Sequence, residues 1–526
     1  MGGMKEERSN YWLDHFADKV VAAIPQGEIL VESGSAPSAS YHIGHFREVL
    51  TGDAIAWAIR QRGRKARHLH VVDNYDPLRK RYSFLPEEYE KYVGWPVCLV
   101  PDPEGCHSSY ATHFIVQFEA STARMGVEME VLYSYEGQYL TGKMAPYIEQ
   151  TIEHMDAVRQ VFKDVAHRDL KDDWVPLQLL SDKNSFNEWR FVSLDTKAKT
   201  VRYRREDGSE GEIPYNTGRV KLNWRLDWPA RWALHGVQVE PFGRELGTKG
   251  GAWDTGVEFC RQVFGAEPPI PLPYDVINLV GETKKMSSSL GNLVTPDEAL
   301  EIMPPEILRY FVLRSLPKHV AVFDPGLGLS NLIDEFAQLD EAVRAGKHPE
   351  FEDAYKVATA IKGERSVARV PFSHLVNVYQ TARGDAERTL QLLGRSGYAD
   401  VVSAERDVIL RELKFVANWL TKYAPESVKF EVKDELPMVE LSADQRKFLG
   451  KLADAVEAAR LDAQGMHDAV YAAAEAAGIK PGQAFVAVYR VLLGKDSGPK
   501  AGWFLSELER PWLIARLRAG TSAPAE

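Results

Sequence analysis

Apolar and polar positions in the first part of the chain fall into two periodicities. "GEILVESG" (27–34) is a nearly continuous apolar run closing in small polar residues, which predicts a buried strand. It passes into a loop, "SAPSASY", whose small side chains let a ligand approach the backbone. Beyond it Phe46, Leu50, Ala54 and Trp57 recur at helical spacing, and Gly63 suits the left-handed turn that ends a helix. "HLHVVDNYD" (68–76) predicts a second strand ending in acidic and aromatic residues. Strand, helix and strand in this order make a βαβ unit, whose handedness implies a doubly wound parallel sheet with its ligand at the carboxyl ends of the strands.

Helical patterns dominate from about 106 to 170. "RFVSLDTKAKTVRYRREDGSEGEIPY" (190–215) then alternates around Val201 and Tyr203 and turns at Asp207 and Gly208, so a small β insertion is expected. The sheet pattern resumes in "YDVINLVG" (274–281), and after about residue 324 the chain reads as helical to its end. The 526 residues, 44% of them hydrophobic, suffice for two to four cored domains. A net charge of −11 argues against indiscriminate coating of nucleic acid but leaves room for a local basic face. Three cysteines, Cys98, Cys106 and Cys260, contain no CxxC pair, so neither a disulfide framework nor a four-cysteine metal knuckle is expected. No run approaches membrane-spanning length and the first residues carry no apolar signal core, so a cytoplasmic protein is expected.

Two motifs carry candidate chemistry. "HIGH", His42 to His45, sits where the first strand hands over to its helix, beside the dipole-positive end that favours an anion. Gly44 leaves room for a flat base, and the two imidazoles can donate to phosphate oxygens. The second is "GETKKMSSSLGN" (281–292), where Lys284, Lys285 and a run of serines suit a clamp on a phosphate chain. "HIGH" after the first strand and "KMSSS" after the last resembles the signature pair of class I aminoacyl-tRNA synthetases. The stretches 42–80, "LNWRLDWPARW" (222–232), "EPFGRELGTKGGAWDTG" (240–256), "MPPEILRY" (303–310) and "YRVLLGKDSGPKAGWFL" (489–505) are similar to the archaeal-type class I lysyl-tRNA synthetases.

The resemblance implies an α/β fold: a Rossmann-like, doubly wound parallel catalytic domain over 1–280 with a β insertion at about 172–222. A connecting domain over 281–345 and an all-α anticodon-binding domain over 346–526 follow. It implies a ligase that joins lysine to ATP, with Mg²⁺ on the triphosphate, and passes the lysyl group to tRNA, with tRNA-Lys the expected partner. A monomer is favoured. By that analogy His42, His45 and Lys285 are catalytic. Pro37, Gly44, Gly243, Glu245, Ser287 and Ser288 join them in holding ATP, with Glu245 standing where the class has aspartate. Gly34, Asp73, Trp224 and Tyr274 form the amino-acid pocket, with Asp76 a further partner for an amino group; Trp228 and Trp232 read as core. Ala36 and Leu246 replace a threonine and a histidine of the family, removing polar groups from the expected pocket. The insertion lacks the paired cysteines of relatives, so no structural zinc, and no other metal site, is expected.

RNA contacts are expected on "RQRGRKARH" (60–68) and on Lys495, Lys500 and Trp503 near the C-terminus, where basic groups can follow phosphates and an exposed ring can stack on a base. Three alternatives remain open at this level. They are a synthetase paralogue using another amino acid, a catalytically weak RNA-binding relative, and a free-standing nucleotidyltransferase, which has no use for the long helical C-terminus.

Overall fold

The computed structural model describes residues 11–186, 189–205, 207–282, 286, 293–360 and 367–522. Strands β1 (Ile29–Ser35), β2 (Ala66–Val72), β3 (Glu130–Tyr133), β4 (Val239–Gly243) and β5 (Ile270–Tyr274) form one parallel sheet in the order β5-β4-β1-β2-β3. The chain steps outward from β1 to β3 and returns to the other side of β1 for β4 and β5. The strand order therefore reverses between β1 and β4, which opens a crevice at their carboxyl ends. Ile29, Leu30 and Val31 are buried, the reason β1 reads as an unbroken apolar run.

Helix α1 (Ile43–Gln61) links β1 to β2 and is buried almost all round, Arg47, Thr51 and Asp53 included. It is thus more than a helix with one apolar stripe. Asp53 meets Arg309 of the helix Pro305–Leu313 at 2.9 Å, and Arg47 donates to the carbonyls of Pro317 and His319 at 2.9 and 3.0 Å. Buried cations of this kind tie α1 to later chain through hydrogen bonds that would be costly to leave unmade.

Two expectations about strands are corrected. "YDVINLVG" is not the last strand of the main sheet: that strand is β5, "IPLPY", and Ile277–Leu279 pairs instead with Ala321–Phe323 in a separate parallel ladder. Pro271 and Pro273 lack amide donors and so place β5 at the sheet edge, where sequence pattern alone hides a strand. β3, only four residues long, interrupts the stretch read as helical between the helices Tyr110–Arg124 and Ala145–Glu153. The β insertion is present as a three-stranded antiparallel meander, Trp189–Asp195, Thr200–Arg205 and Glu210–Pro214, with Gly208 at positive φ in its turn. A short antiparallel pair, Leu177–Leu179 with Val220–Leu222, closes its base.

The chain divides into two compact units. The first comprises residues 1–300, 308–323 and 351–362; the second, 301–307, 324–350 and 363–526. The described part of the second is helical. One of its cores is the alanine-rich set around Phe448, Leu452, Val488, Leu492 and Phe504, where small side chains let helices approach closely. Trp419, fully buried in the same unit, donates to the Pro325 carbonyl at 2.8 Å.

Candidate active site

His42 is the N-cap of α1. Its Nδ1 accepts the Gly44 amide at 3.1 Å while His45 Nδ1 lies 3.2 Å from the His42 amide, a capping box built from two histidines. Accepting through Nδ1 puts the proton of a neutral His42 on Nε2, the state in which that nitrogen donates. The imidazoles are 4.2 Å apart. A Cβ on Gly44 would meet the His42 ring at 2.7 Å, so the glycine lets that ring fold back over the helix start.

These residues open on a cavity of about 180 Å³ whose wall includes Gly34, Ser35, Glu48, Gly243, Glu245 and Tyr274. Met286, the second residue of "KMSSS", is 2% exposed and closes the same cavity, with its Cε 3.7 Å from the Gly44 Cβ position. The two motifs are therefore neighbours through this methionine. Lys284, Lys285, Ser287 and Ser288 lie outside the described residues.

A larger cavity, about 360 Å³, shares Gly34, Ser35 and Glu48 with the first and lies over the β1–β4 crevice. Its walls hold six carboxylates, Glu32, Glu48, Asp73, Asp76, Asp227 and Glu240, against Arg79 and Arg231. Asp73 is paired with Arg231, and Asp76 with the buried Lys221 at 3.0 Å. Burial would discharge Arg231, but Asp73, Asp227, Glu32 and Glu240 hold it protonated. Burial pushes Glu32 up to about 8 and Asp73 up to about 6, each against the opposing pull of Arg231, and raises Glu240 well above the carboxylate range. Glu48 is likewise pushed up to about 7 by burial, although it accepts the Gly34 amide at 2.7 Å and the Tyr274 hydroxyl.

One oxygen of Glu240 accepts from the Trp228 indole at 2.6 Å; the other, together with Glu32 Oε2 and Arg231 Nε, is buried without a hydrogen-bond partner among the described residues. Unmatched buried polar atoms of this kind, two acceptors and one donor, are costly unless a ligand completes them. Ala36 and Leu246, the two positions where polar groups were expected, both face this cavity, as does Trp224. Trp224 is 40% exposed, and the Arg225 guanidinium lies 5.1 Å from its ring.

Several expected members stand elsewhere. Tyr274 faces the cavity of His42 and His45, not the one lined by Trp224, because β5 is an edge strand and Glu48 holds its hydroxyl. Pro37 lines a third cavity of about 200 Å³ rather than that of the histidines. Trp228 and Trp232 are core residues as expected, packed edge-on and tilted against Trp253, although Trp228 also reaches the acidic wall. Glu32, Glu48, Arg231 and Glu240 were missed, yet a glutamate inside "ILVESG" and another inside "VQVEPFG" were visible as charges in strands too apolar to leave them solvated.

The expected RNA patches also change. In 60–68, Arg62 is paired with Asp14 and Asp18, Arg67 with Glu28 and Glu130, and Arg64 donates to the carbonyls of Ile24 and Gly27, so most of that charge is spent internally. Lys495 donates to the Lys429 and Glu426 carbonyls. Trp503 is half-buried against the helical core with its ring 4.9 Å from that of His374, not an exposed platform; Lys500 remains exposed.

The expectation of no metal site rested on the cysteines, and it took no account of a mixed set of donors. Asp102, Cys106, His107 and His113 bring their ligand atoms within 4.8 Å of one another. Cys106 Sγ is 2.9 Å from His107 Nδ1 and 3.3 Å from His113 Nδ1, which is 3.0 Å from Asp102 Oδ1. A tetrahedral zinc ion at roughly 2.0–2.3 Å from each ligand needs neighbours about 3.3–3.7 Å apart. The Cys106, His113 and Asp102 contacts lie near that range, and the group as a whole would have to tighten from within 4.8 Å to hold such an ion. Within the β insertion there is no cysteine at all.

Comparison with known proteins gives the family of the chain. Residues 10–363 match the family of class I tRNA synthetases of the lysine type, and residues 405–521 match an anticodon binding domain. A lysine–tRNA ligase of Archaeoglobus fulgidus is 37% identical over 96% of this chain and 99% of its own length. Lysine–tRNA ligase 1 of Methanosarcina acetivorans is 37% identical over 97% and 98%, and the Pyrococcus horikoshii lysine–tRNA ligase 33% over 97% and 99%. With a family match over most of its length and relatives above 30% identity end to end, the chain belongs to the lysine-type class I tRNA synthetases.

Proposed function

We propose that the chain is a lysine–tRNA ligase that condenses lysine with ATP to lysyl-adenylate, releases pyrophosphate, and passes the lysyl group to the terminal ribose of tRNA-Lys. The observation that carries this reading is the adjacency of two unlike cavities across the end of β1. One is rich in carboxylates and the other is built on a helix start, and they share Gly34, Ser35 and Glu48. Lysine brings two ammonium groups, which six carboxylates facing two arginines favour over a neutral or acidic side chain. Glu32 and Glu240 offer the unmatched acceptors, Asp73 and Asp76 further ones, and Trp224 a wall for the aliphatic stem.

ATP belongs in the smaller cavity. His42 and His45 donate to its phosphates at the positive end of α1, Gly44 and Gly243 leave room for the His42 ring and the Glu245 carboxylate to close on the nucleotide, and Glu245 takes the ribose hydroxyls. Lys285, Ser287 and Ser288 close over the leaving pyrophosphate, and Tyr274 acts from this side by holding Glu48 against the Gly34 amide. Magnesium arrives with the triphosphate as part of the substrate. The lysine carboxylate attacks the α-phosphorus directly, so the protein positions and neutralises rather than supplying a nucleophile. The helical second unit reads the anticodon, with Lys500, Lys495 and Trp503 as our candidates there. The protein acts as a monomer in the cytoplasm; among the described residues no helix is long and apolar enough to cross a membrane.

Ala36 and Leu246, apolar on the pocket wall, favour a second reading in which a related amino acid is the substrate. Charging of tRNA with labelled amino acids separates the two: lysine should be esterified and ornithine, arginine and glutamate should not. Preferential charging of another amino acid would replace lysine in this proposal.

A further inference from the structure

The third cavity adjoins the acidic one, and Ala36, Asp73, Asp76 and Arg79 belong to both. Its chemistry is graded along its length. Inside, Asp73 and Asp76 stand as acceptors whose charge Arg231 and Lys221 already balance. At the mouth Arg79 and Lys80 are exposed, and no ion pair engages either among the described residues. Tyr82 also lines this cavity. The Lys80 ammonium lies 5.5 Å from its ring, and Tyr82 stacks on Phe84 with centroids 5.6 Å apart and planes 7° from parallel.

Phe84 is 46% exposed, unusual for so large an apolar ring, and is backed edge-on by Phe114 at 6.1 Å. Cations beside a rigid, uncovered aromatic pair are the elements of a single-strand nucleic-acid track, where rings stack bases and charges follow phosphates. The order of charge sets the direction. An RNA strand entering 3′ end first leads with ribose hydroxyls, which meet the carboxylates, and trails its phosphates past Arg79 and Lys80. A phosphate-first end meets the groups in the opposite, repulsive order.

We infer that residues 79–84 and the cavity behind them receive the unpaired 3′ end of the RNA substrate, with Phe84 and Tyr82 stacking a base and Arg79 and Lys80 holding the phosphates that follow. The inference rests on the tRNA-ligase reading and places the acceptor end within the first unit.

A tRNA carrying 2-aminopurine as its 3′-terminal or penultimate base tests it directly, because stacking quenches that fluorophore. Wild-type protein should quench it. Phe84→Ala should lose most of the quench and raise the KM for tRNA by about tenfold, and Phe84→Trp should restore both. Arg79→Ala/Lys80→Ala should weaken tRNA binding and flatten its salt dependence. Blocking the RNA with a 3′-phosphate should weaken wild-type binding. Lysine affinity and thermal midpoint of Phe84→Ala should match wild type. Unchanged quench and KM in Phe84→Ala would overturn the inference even in an enzyme that charges lysine normally. Failure of wild-type protein to charge lysine would instead remove the lysine assignment, while the quench continues to decide the track.

Discussion

Buried carboxylates decide what the larger cavity can bind. Glu32 has an ordinary value of 4.5 and is pushed up to about 8, first by burial. An acid whose folded value exceeds its unfolded one binds more protons when folded, so its contribution to stability falls as pH rises from about 4.5 to 8. A cationic ligand prefers the ionised form, so lysine affinity should rise over the same window. Glu32→Gln should flatten both profiles, read by thermal melts and calorimetric lysine titration from pH 5 to 9. Glu240→Gln should weaken lysine by about tenfold or more while leaving the melt near that of wild type, since burial already favours the neutral acid and the amide matches it in size and charge. A destabilised Glu240→Gln with normal lysine affinity would make that residue structural.

At the scale of elements, the start of α1 was readable from "HIGH" and the end of β1 from its apolar run, because a cap and a buried strand leave local marks. His42 as the cap itself was less legible, since histidine takes the role usually given to serine or aspartate. β5 was hidden by its prolines and β3 by its brevity. The pairing that commits Arg62 and Arg67 to carboxylates distant in sequence could not be read from composition at all. Gly44→Ala forces the His42 ring aside; adenylate formation should fall by about 10²-fold with lysine binding kept, measured in a single turnover. The Asp102, Cys106, His107 and His113 group joins the loop 102–109 to the helix Tyr110–Arg124. Metal analysis should find one zinc per chain, lost in His113→Ala together with several degrees of thermal midpoint; metal-free wild-type protein of unchanged stability would remove the site.

At the scale of the molecule, the sequence resemblance named the fold and the reaction class, while the acidic cavity came only from strands far apart in the chain. β1 and β4 contribute one carboxylate each, α1 contributes Glu48, the segment after β2 contributes Asp73, Asp76 and Arg79, and the helix Trp224–His235 contributes Asp227 and Arg231, so no window of sequence holds them together. Asp53 and Arg309 join α1 to the helix Pro305–Leu313 within the first unit. Asp53→Ala leaves a buried guanidinium unpaired and should cost about 3–5 kcal/mol in denaturant unfolding, against little loss for the exposed pair Arg60 and Glu128.

The central claim is that the acid-lined cavity activates lysine beside the nucleotide held at His42 and His45. ATP–pyrophosphate exchange over all twenty amino acids, with and without tRNA, tests it most directly. The account predicts exchange with lysine alone, abolished by Glu32→Gln/Glu240→Gln and slowed strongly by His45→Ala. Exchange with a different amino acid, or none with lysine under either condition, would contradict it.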